Sequence, residues 1–127
     1  MNVENFKLVR EHVNNNPDFT MADFRHPCGS AACIIGSAEV LMLSQGYRCD
    51  DSYLHHPEGP IPRANRTDIC EWLGITYREY EHLYSGCFST EHIESLTKED
   101  AVAFLDRCIE QGEYIMEFPK LYGQGNR

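Results

Sequence analysis

The sequence predicts an all-α fold, a small single-domain bundle of about five helices around a buried central helix at about residues 30–45. Apolar residues recur at helical spacing in several segments that begin with capping residues and end at glycine or asparagine. No segment shows the apolar–polar alternation of a half-buried strand. The 127 residues, 42% of them hydrophobic and 24% charged, are enough for one domain with its own core.

The stretch 26–46 holds the most apolar run of the chain and predicts the central helix. Ser30 suits the N-cap position, because its hydroxyl can accept hydrogen bonds from the amides of the first turn. Gly29 allows a sharp turn just before it. Only two clearly polar residues interrupt positions 31–43, so we expect this helix to be buried on most sides. Gly46 is the expected stop signal.

A first helix is predicted from about Val3 to Asn14. Phe6, Val9 and Val13 recur at helical spacing and form its buried stripe. Leu8 is expected to widen that stripe. A run of asparagines followed by a proline ends the helix, because the residue before a proline disfavours helical geometry.

Residues 47–64 predict a long irregular loop, since they are rich in turn formers and have no period. A helix follows, capped by Asn65 or Thr67 and closed by Gly74. Its apolar face carries Trp72 and Leu73.

Two further helices are predicted in the second half. Thr76 and Glu79 form a capping box for a helix that stops near Gly86, and one more turn is expected around Ile93. Thr97 starts the last helix.

In that last helix Phe104 and Leu105 lie on the apolar stripe, and Gly112 ends it. The tail at 113–127 is expected to dock partly on the domain and then to fray.

The composition excludes several classes of partner. A net charge of −9 disfavours direct nucleic-acid binding, which requires clustered lysine and arginine.

No apolar run is long enough for a membrane helix, and no signal peptide begins the chain, so we expect a cytoplasmic protein. Six cysteines in that compartment are expected to be free thiols rather than a disulfide framework.

One interpretation of the segment around Cys28 is catalytic. A cysteine at a helix N-terminus favours the thiolate, and Cys28 or Cys33 would then pair with His55 or His56 of the long loop. The Cys28-Gly29-Ser30 sequence resembles the nucleophile segment of papain-like and bacteriocin-processing cysteine peptidases, which implies a hydrolase. No glutamine precedes Cys28 to form the oxyanion hole of those families.

A second interpretation is a zinc site. His26, Cys28 and Cys33 lie close in sequence, and Cys49, or a histidine at 55 or 56, would supply the fourth ligand of a tetrahedral site. A second closely spaced ligand pair is missing.

The third interpretation, which we favour, is structural: the segment packs into the core, and neither a catalytic residue nor a metal ligand is assigned. The two cysteines then pack together or bridge on oxidation. The predicted structural core comprises Cys28, Gly29, Ser30, Cys33, Gly36, Trp72, Leu73, Gly74, Phe104 and Leu105.

Several motifs together resemble a largely uncharacterised family of small bacterial and bacteriophage proteins. That family carries a Cys-Gly-Thr/Ser-x-x-Cys-Ile-x-Gly segment, found here at 28–36, and a Leu-Gly-Leu/Ile helical turn, found at 73–75. A Thr-x-x-x-Ala-x-x-x-Leu helix follows, here from Thr97. The family often has a large aromatic residue where this chain has Ser37.

The resemblance implies a bacterial or phage origin and no established activity. We therefore expect a non-catalytic acidic binding or accessory protein with a protein partner and no cofactor. Inhibition of a host protein complex is one form that this function would take.

Overall fold

A computed structural model of the protein contains five α-helices and one β-hairpin within the residues that it describes. These residues are 1–21, 25–26, 29–47, 49–56, 59–88 and 97–116. The predicted small all-α domain is confirmed, and the hairpin is added to it. The elements are α1 (Val3–Asn14), α2 (Ile34–Ser44), β1 (Cys49–His56), β2 (Gly59–Ala64), α3 (Arg66–Leu73), α4 (Tyr77–Phe88) and α5 (Lys98–Gln111).

Helix α1 has the predicted boundaries. The side chain of Asn2 caps it by accepting a hydrogen bond from the backbone amide of Asn5 at 3.0 Å. Phe6, Val9 and Val13 are buried as predicted. Leu8 does not widen the stripe, because its side chain lies on a neighbouring face of the helix and is 43% exposed.

Helix α2 begins later than predicted, with Cys33 rather than Ser30 at the N-cap. The cause is that the preceding backbone is used elsewhere. The carbonyl of Ala31 accepts a hydrogen bond from the Asn16 side chain at 2.9 Å, and that of Ala32 accepts one from the Thr20 amide at 2.9 Å. Together with the antiparallel bridge between Ala31 and Arg25, these contacts hold the backbone before Cys33 in a non-helical conformation, so the helix starts after them.

The central position of α2 is confirmed. It contacts α1, α3, α4 and β2, and seven of its eleven residues are buried. Six consecutive buried residues at its start explain why the sequence shows a nearly continuous apolar run rather than a stripe. The buried residues of α2 are Ile34, Ile35, Gly36, Ser37, Ala38, Glu39 and Met42.

The prediction of an irregular loop at 47–64 is wrong, because β1 and β2 pair there as an antiparallel hairpin. The register places Leu54 opposite Ile61 and shifts between Cys49 and Tyr53. Strand β2 includes two prolines, which an edge strand tolerates because it needs only half of its backbone donors for pairing. Ile61 and Ala64 of β2 are buried, and β2 packs against α2.

Helices α3 and α4 follow their predicted capping signals. Asn65 caps α3, and Gly74 ends it in the left-handed conformation at φ 68°. Thr76 and Glu79 exchange the two hydrogen bonds of a capping box at 2.9 and 3.1 Å. Helix α4 extends to Phe88, slightly beyond the predicted stop. The turn predicted around Ile93 lies outside the described residues.

Helix α5 packs along α1 and is capped as the sequence indicates. Thr97 and Asp100 form its capping box, and Gly112 ends it at φ 73°. Beyond α5, Tyr114 packs edge-to-face on Phe104 with ring centroids 5.5 Å apart. Residues 117–127 of the predicted tail lie outside the described residues.

The ten predicted core residues comprise six that are buried, three that are not, and one that lies outside the described residues. Six of them are buried: Cys33, Gly36, Trp72, Leu73, Phe104 and Leu105. Placing Gly29, Ser30 and Gly74 in the core is wrong, because they lie in turns and their exposure ranges from partial to high. Cys28 lies outside the described residues. None of the helices in the described part of the chain has the length and apolarity that a membrane crossing requires.

Candidate functional site

Cys33 is a helix cap rather than an exposed nucleophile. Its side chain is fully buried, and its Sγ accepts a hydrogen bond from the Gly36 amide at 3.5 Å. Within the described residues its sulfur is not part of a disulfide. A substrate cannot reach this sulfur without opening the core.

The predicted partners of Cys33 are not brought to it within the described residues. His26 lies in the turn before α2, where its Nε2 is 2.7 Å from the Asp18 carbonyl oxygen. Cys49, His55 and His56 belong to β1 by their backbone, and their side chains lie outside the described part, as does Cys28. No three histidine, cysteine or acidic residues converge as a metal site among the residues described.

A buried ion cluster joins three segments of the chain. Glu39 of α2 has no solvent exposure, and its carboxylate accepts hydrogen bonds from two guanidinium groups. Arg25 Nη1 donates to its Oε1 at 2.8 Å, and Arg63 Nε lies 2.8 and 2.6 Å from Oε1 and Oε2. Arg25 Nε also donates to the Gly29 carbonyl at 2.9 Å. The cluster thus fixes the turn before α2 and strand β2 to the central helix.

The electrostatics of this cluster are set by opposing effects. Burial raises the pKa of the Glu39 carboxyl, and the charges and hydrogen bonds of Arg63 and Arg25 lower it. Nearby, burial raises the pKa of Tyr80 to about 12, so this phenol stays neutral at physiological pH. With all its oxygens paired, the Glu39 carboxylate has a structural role: it orients α2.

An open groove lies on the other side of α2, between this helix and α1; we call it the α1–α2 groove. Its volume is about 530 Å³, which is within the range of roughly 300–1,000 Å³ typical of ligand sites. The surface is predominantly apolar. The lining residues are Leu8, Glu11, His12, Asn15, Asn16, Pro17, Ser30, Ala31, Val40 and Leu41.

The walls of the groove are held by contacts already present in the fold. Val40 and Leu41 directly follow Glu39, so the buried ion pairs fix the rotation of α2 that turns them toward the groove. At one end the Asn16 side chain donates to the Ala31 carbonyl and accepts from the Asp18 amide at 2.9 Å in each case. The groove is therefore preformed in the free protein.

His12 places a nitrogen with unused hydrogen-bonding capacity in this wall. Its Nδ1 is buried and has no partner among the described residues. Burial lowers the pKa of His12, so the imidazole is neutral at physiological pH. A buried polar atom without a partner costs stability, and a bound molecule that changes the packing of this wall can relieve that cost.

The charge of the groove is negative. Glu11 is the single charged residue among those that line it in the described structure, and no lysine or arginine is among them. The Glu11 carboxylate lies 3.8 Å from Arg10 Nη1, and the same guanidinium group lies closer to Asp106, 3.0 Å away by its Nε. An occupant would therefore meet an apolar floor with an acidic group at the rim.

The sequence did not predict this groove. Leu8 and His12 form an i, i+4 pair on a second face of α1, but Leu8 was expected to extend the buried stripe. Its 43% exposure is known only from the structure, and a single exposed leucine is common on protein surfaces and does not by itself mark a site.

Comparisons of the chain with protein-family models, with curated proteins and with solved structures found no match.

Proposed function

We propose that the protein is a non-catalytic acidic binding protein that docks a protein partner in the bacterial cytoplasm. The observation that carries this proposal is the α1–α2 groove. It is preformed, apolar and open, and Leu8 presents much of its side chain to solvent there. Exposed apolar surface rimmed by polar groups is typical of protein interaction sites.

The burial of Cys33 argues against this residue as the nucleophile of a cysteine-dependent hydrolase, while Cys28, the other candidate, lies outside the described residues. A nucleophile must contact its substrate, and this sulfur is enclosed by the core and engaged with the Gly36 amide. Alkylation with iodoacetamide at pH 6, followed by intact-mass analysis, tests the rival. Slow labelling of Cys33 is expected, and fast selective labelling of Cys28 or Cys33 would favour the hydrolase.

The net charge of −9 supports a basic protein as the partner. It also fits the sub-hypothesis of an inhibitor of a host complex, since an acidic protein can occupy a surface that normally binds an acidic ligand. The resemblance to small phage and bacterial proteins supports this sub-hypothesis.

Affinity capture from a bacterial lysate tests the binding proposal. The tagged protein is chemically crosslinked in lysate, recovered and analysed by mass spectrometry. An unrelated protein of equal size and net charge is the control for nonspecific retention of basic proteins. Enrichment of one partner at near-stoichiometric amount over this control is expected. If nothing exceeds the control, the protein is not a binding protein in that host.

A further inference from the structure

We propose that the α1–α2 groove is the docking site for a cationic protein segment, which inserts one large aliphatic or aromatic side chain against Leu8, Val40 and Leu41 and sets a lysine or arginine beside Glu11. This inference rests on the proposed function and names the surface and the chemistry of the partner.

The apolar part of the segment follows from the floor of the groove. Leu8 is 43% exposed, and Val40 and Leu41 are only partly covered by the rest of the fold. These side chains gain burial only when an apolar group enters. A volume of about 530 Å³ accommodates one large side chain together with the backbone on either side of it.

The cationic part follows from the charges around the groove. Its lining residues in the described structure include the Glu11 carboxylate and no cation. The side chain of Glu11 is 63% exposed and is therefore free to reorient toward an incoming charge. A whole-chain charge of −9 also speeds the approach of a basic segment and slows that of an acidic one.

The polar part follows from the walls. His12 is neutral, with a buried Nδ1 that the described fold leaves without a partner. Asn15 is exposed at the same wall, and its amide lies 3.4 Å from Glu11 Oε1, a long contact that is easily exchanged. The exposed Asn15 amide can hydrogen-bond the backbone of an inserted segment and so fix its orientation, whereas His12 Nδ1 becomes accessible only when the inserted side chain shifts the packing of this wall.

Selection from a random peptide library tests the inference without knowledge of the natural partner. A phage-displayed library of 12-residue peptides is panned on the immobilised full-length protein, and enriched peptides are synthesised with a fluorescent label. We expect a shared pattern of one leucine, isoleucine, methionine or phenylalanine flanked by lysine or arginine. Dissociation constants are then measured by fluorescence anisotropy.

Matched variants locate the site of binding. Leu8→Ser removes the apolar contact and should weaken binding about tenfold or more. Met116→Ser is the control, because Met116 is 44% exposed and does not line the groove; its affinity should equal that of the parent. Glu11→Gln should weaken binding by about twofold to fivefold at low salt and reduce its salt dependence. Circular dichroism confirms that each variant is folded.

Any of the following outcomes would overturn the inference. Enriched peptides that lack basic residues would mean that the groove binds a segment of other chemistry. An affinity that Leu8→Ser leaves unchanged would mean that docking takes place on another surface. In either case the capture experiment still decides whether the protein binds a partner. A dimer in solution that Leu8→Ser dissociates would make a second copy the occupant. Failure to enrich any peptide also counts against the groove.

Discussion

Replacing Gly74 by alanine is the sharpest test of how the N-terminus is packed, because the chain offers a matched control. Gly74 ends α3 and Gly112 ends α5, both in the left-handed conformation with φ of 68° and 73°. The two glycines differ in their surroundings. A Cβ on Gly74 would lie 2.7 Å from the backbone nitrogen of Asn2, whereas one on Gly112 would meet nothing within 4 Å.

The shared conformation should cost both alanine variants about 1–2 kcal/mol, because a Cβ strains the left-handed region. Gly74→Ala must also displace the backbone of Met1 and Asn2. That shift stretches the 2.8 Å bond from the Asn2 amide to the Leu73 carbonyl. Losing such a bond costs about 0.5–1.5 kcal/mol, and poorer packing adds to this. We therefore expect Gly74→Ala to lower the free energy of unfolding by about 2–4 kcal/mol in total.

The measurement is urea unfolding followed by the fluorescence of Trp72, the one tryptophan of the chain. Thermal unfolding by circular dichroism provides a second readout, with a shift of roughly 3–6 °C for each kcal/mol at this size. Gly112→Ala should show the conformational cost alone. Equal losses for the two variants would refute the packing of the N-terminal residues against the end of α3.

Three further perturbations test the core and the groove. Glu39→Gln should lower the unfolding free energy by about 3–5 kcal/mol, because Arg25 loses its buried counter-charge. The control is Glu11→Gln at an exposed position, which should change the unfolding free energy by less than about 0.5 kcal/mol. Similar losses for the two variants in urea unfolding would contradict the burial of the cluster. Gly36→Leu should cost about 1–3 kcal/mol or more through overpacking, and an unchanged melting temperature would mean that the start of α2 is not buried. Burial lowers the pKa of His12 below its ordinary 6.5, so the unfolded chain binds this proton more tightly and stability falls as the pH drops through that value. His12→Gln should flatten part of this fall in urea titrations from pH 8 to pH 5, and identical slopes would refute the burial of the ring.

The helices were predictable because their signals are local. The stripe of Phe6, Val9 and Val13 and the capping boxes at Thr76 and Thr97 depend on residues within one or two turns of each other. The start of α2 could not be predicted in this way, although Ser30 is a good capping residue. Its position depends on contacts to Asn16 and Thr20, which only tertiary folding brings together.

The hairpin and the groove could not be read from the sequence for a related reason. Strand β2 carries Pro60 and Pro62, which argue locally against a strand, and only its position at the edge of a two-stranded sheet permits them. The groove depends on the packing of α1 against α2. The sequence predicted that Leu8 extends the buried stripe of α1, and no pattern indicated that Val40 and Leu41 would lie across from it.

The Glu39 carboxylate also has a consequence for local unfolding. Because it ties Arg25 and Arg63 to α2, detachment of either the turn before the helix or the hairpin removes one of the two guanidinium groups that compensate this buried charge. Amide hydrogen exchange in these three segments should therefore proceed through one shared opening event, with similar protection at His26, Ser37 and the pairing amides of β2. We therefore expect the boundary of a cooperative unfolding unit to be set here by a single side chain rather than by a continuous stretch of backbone.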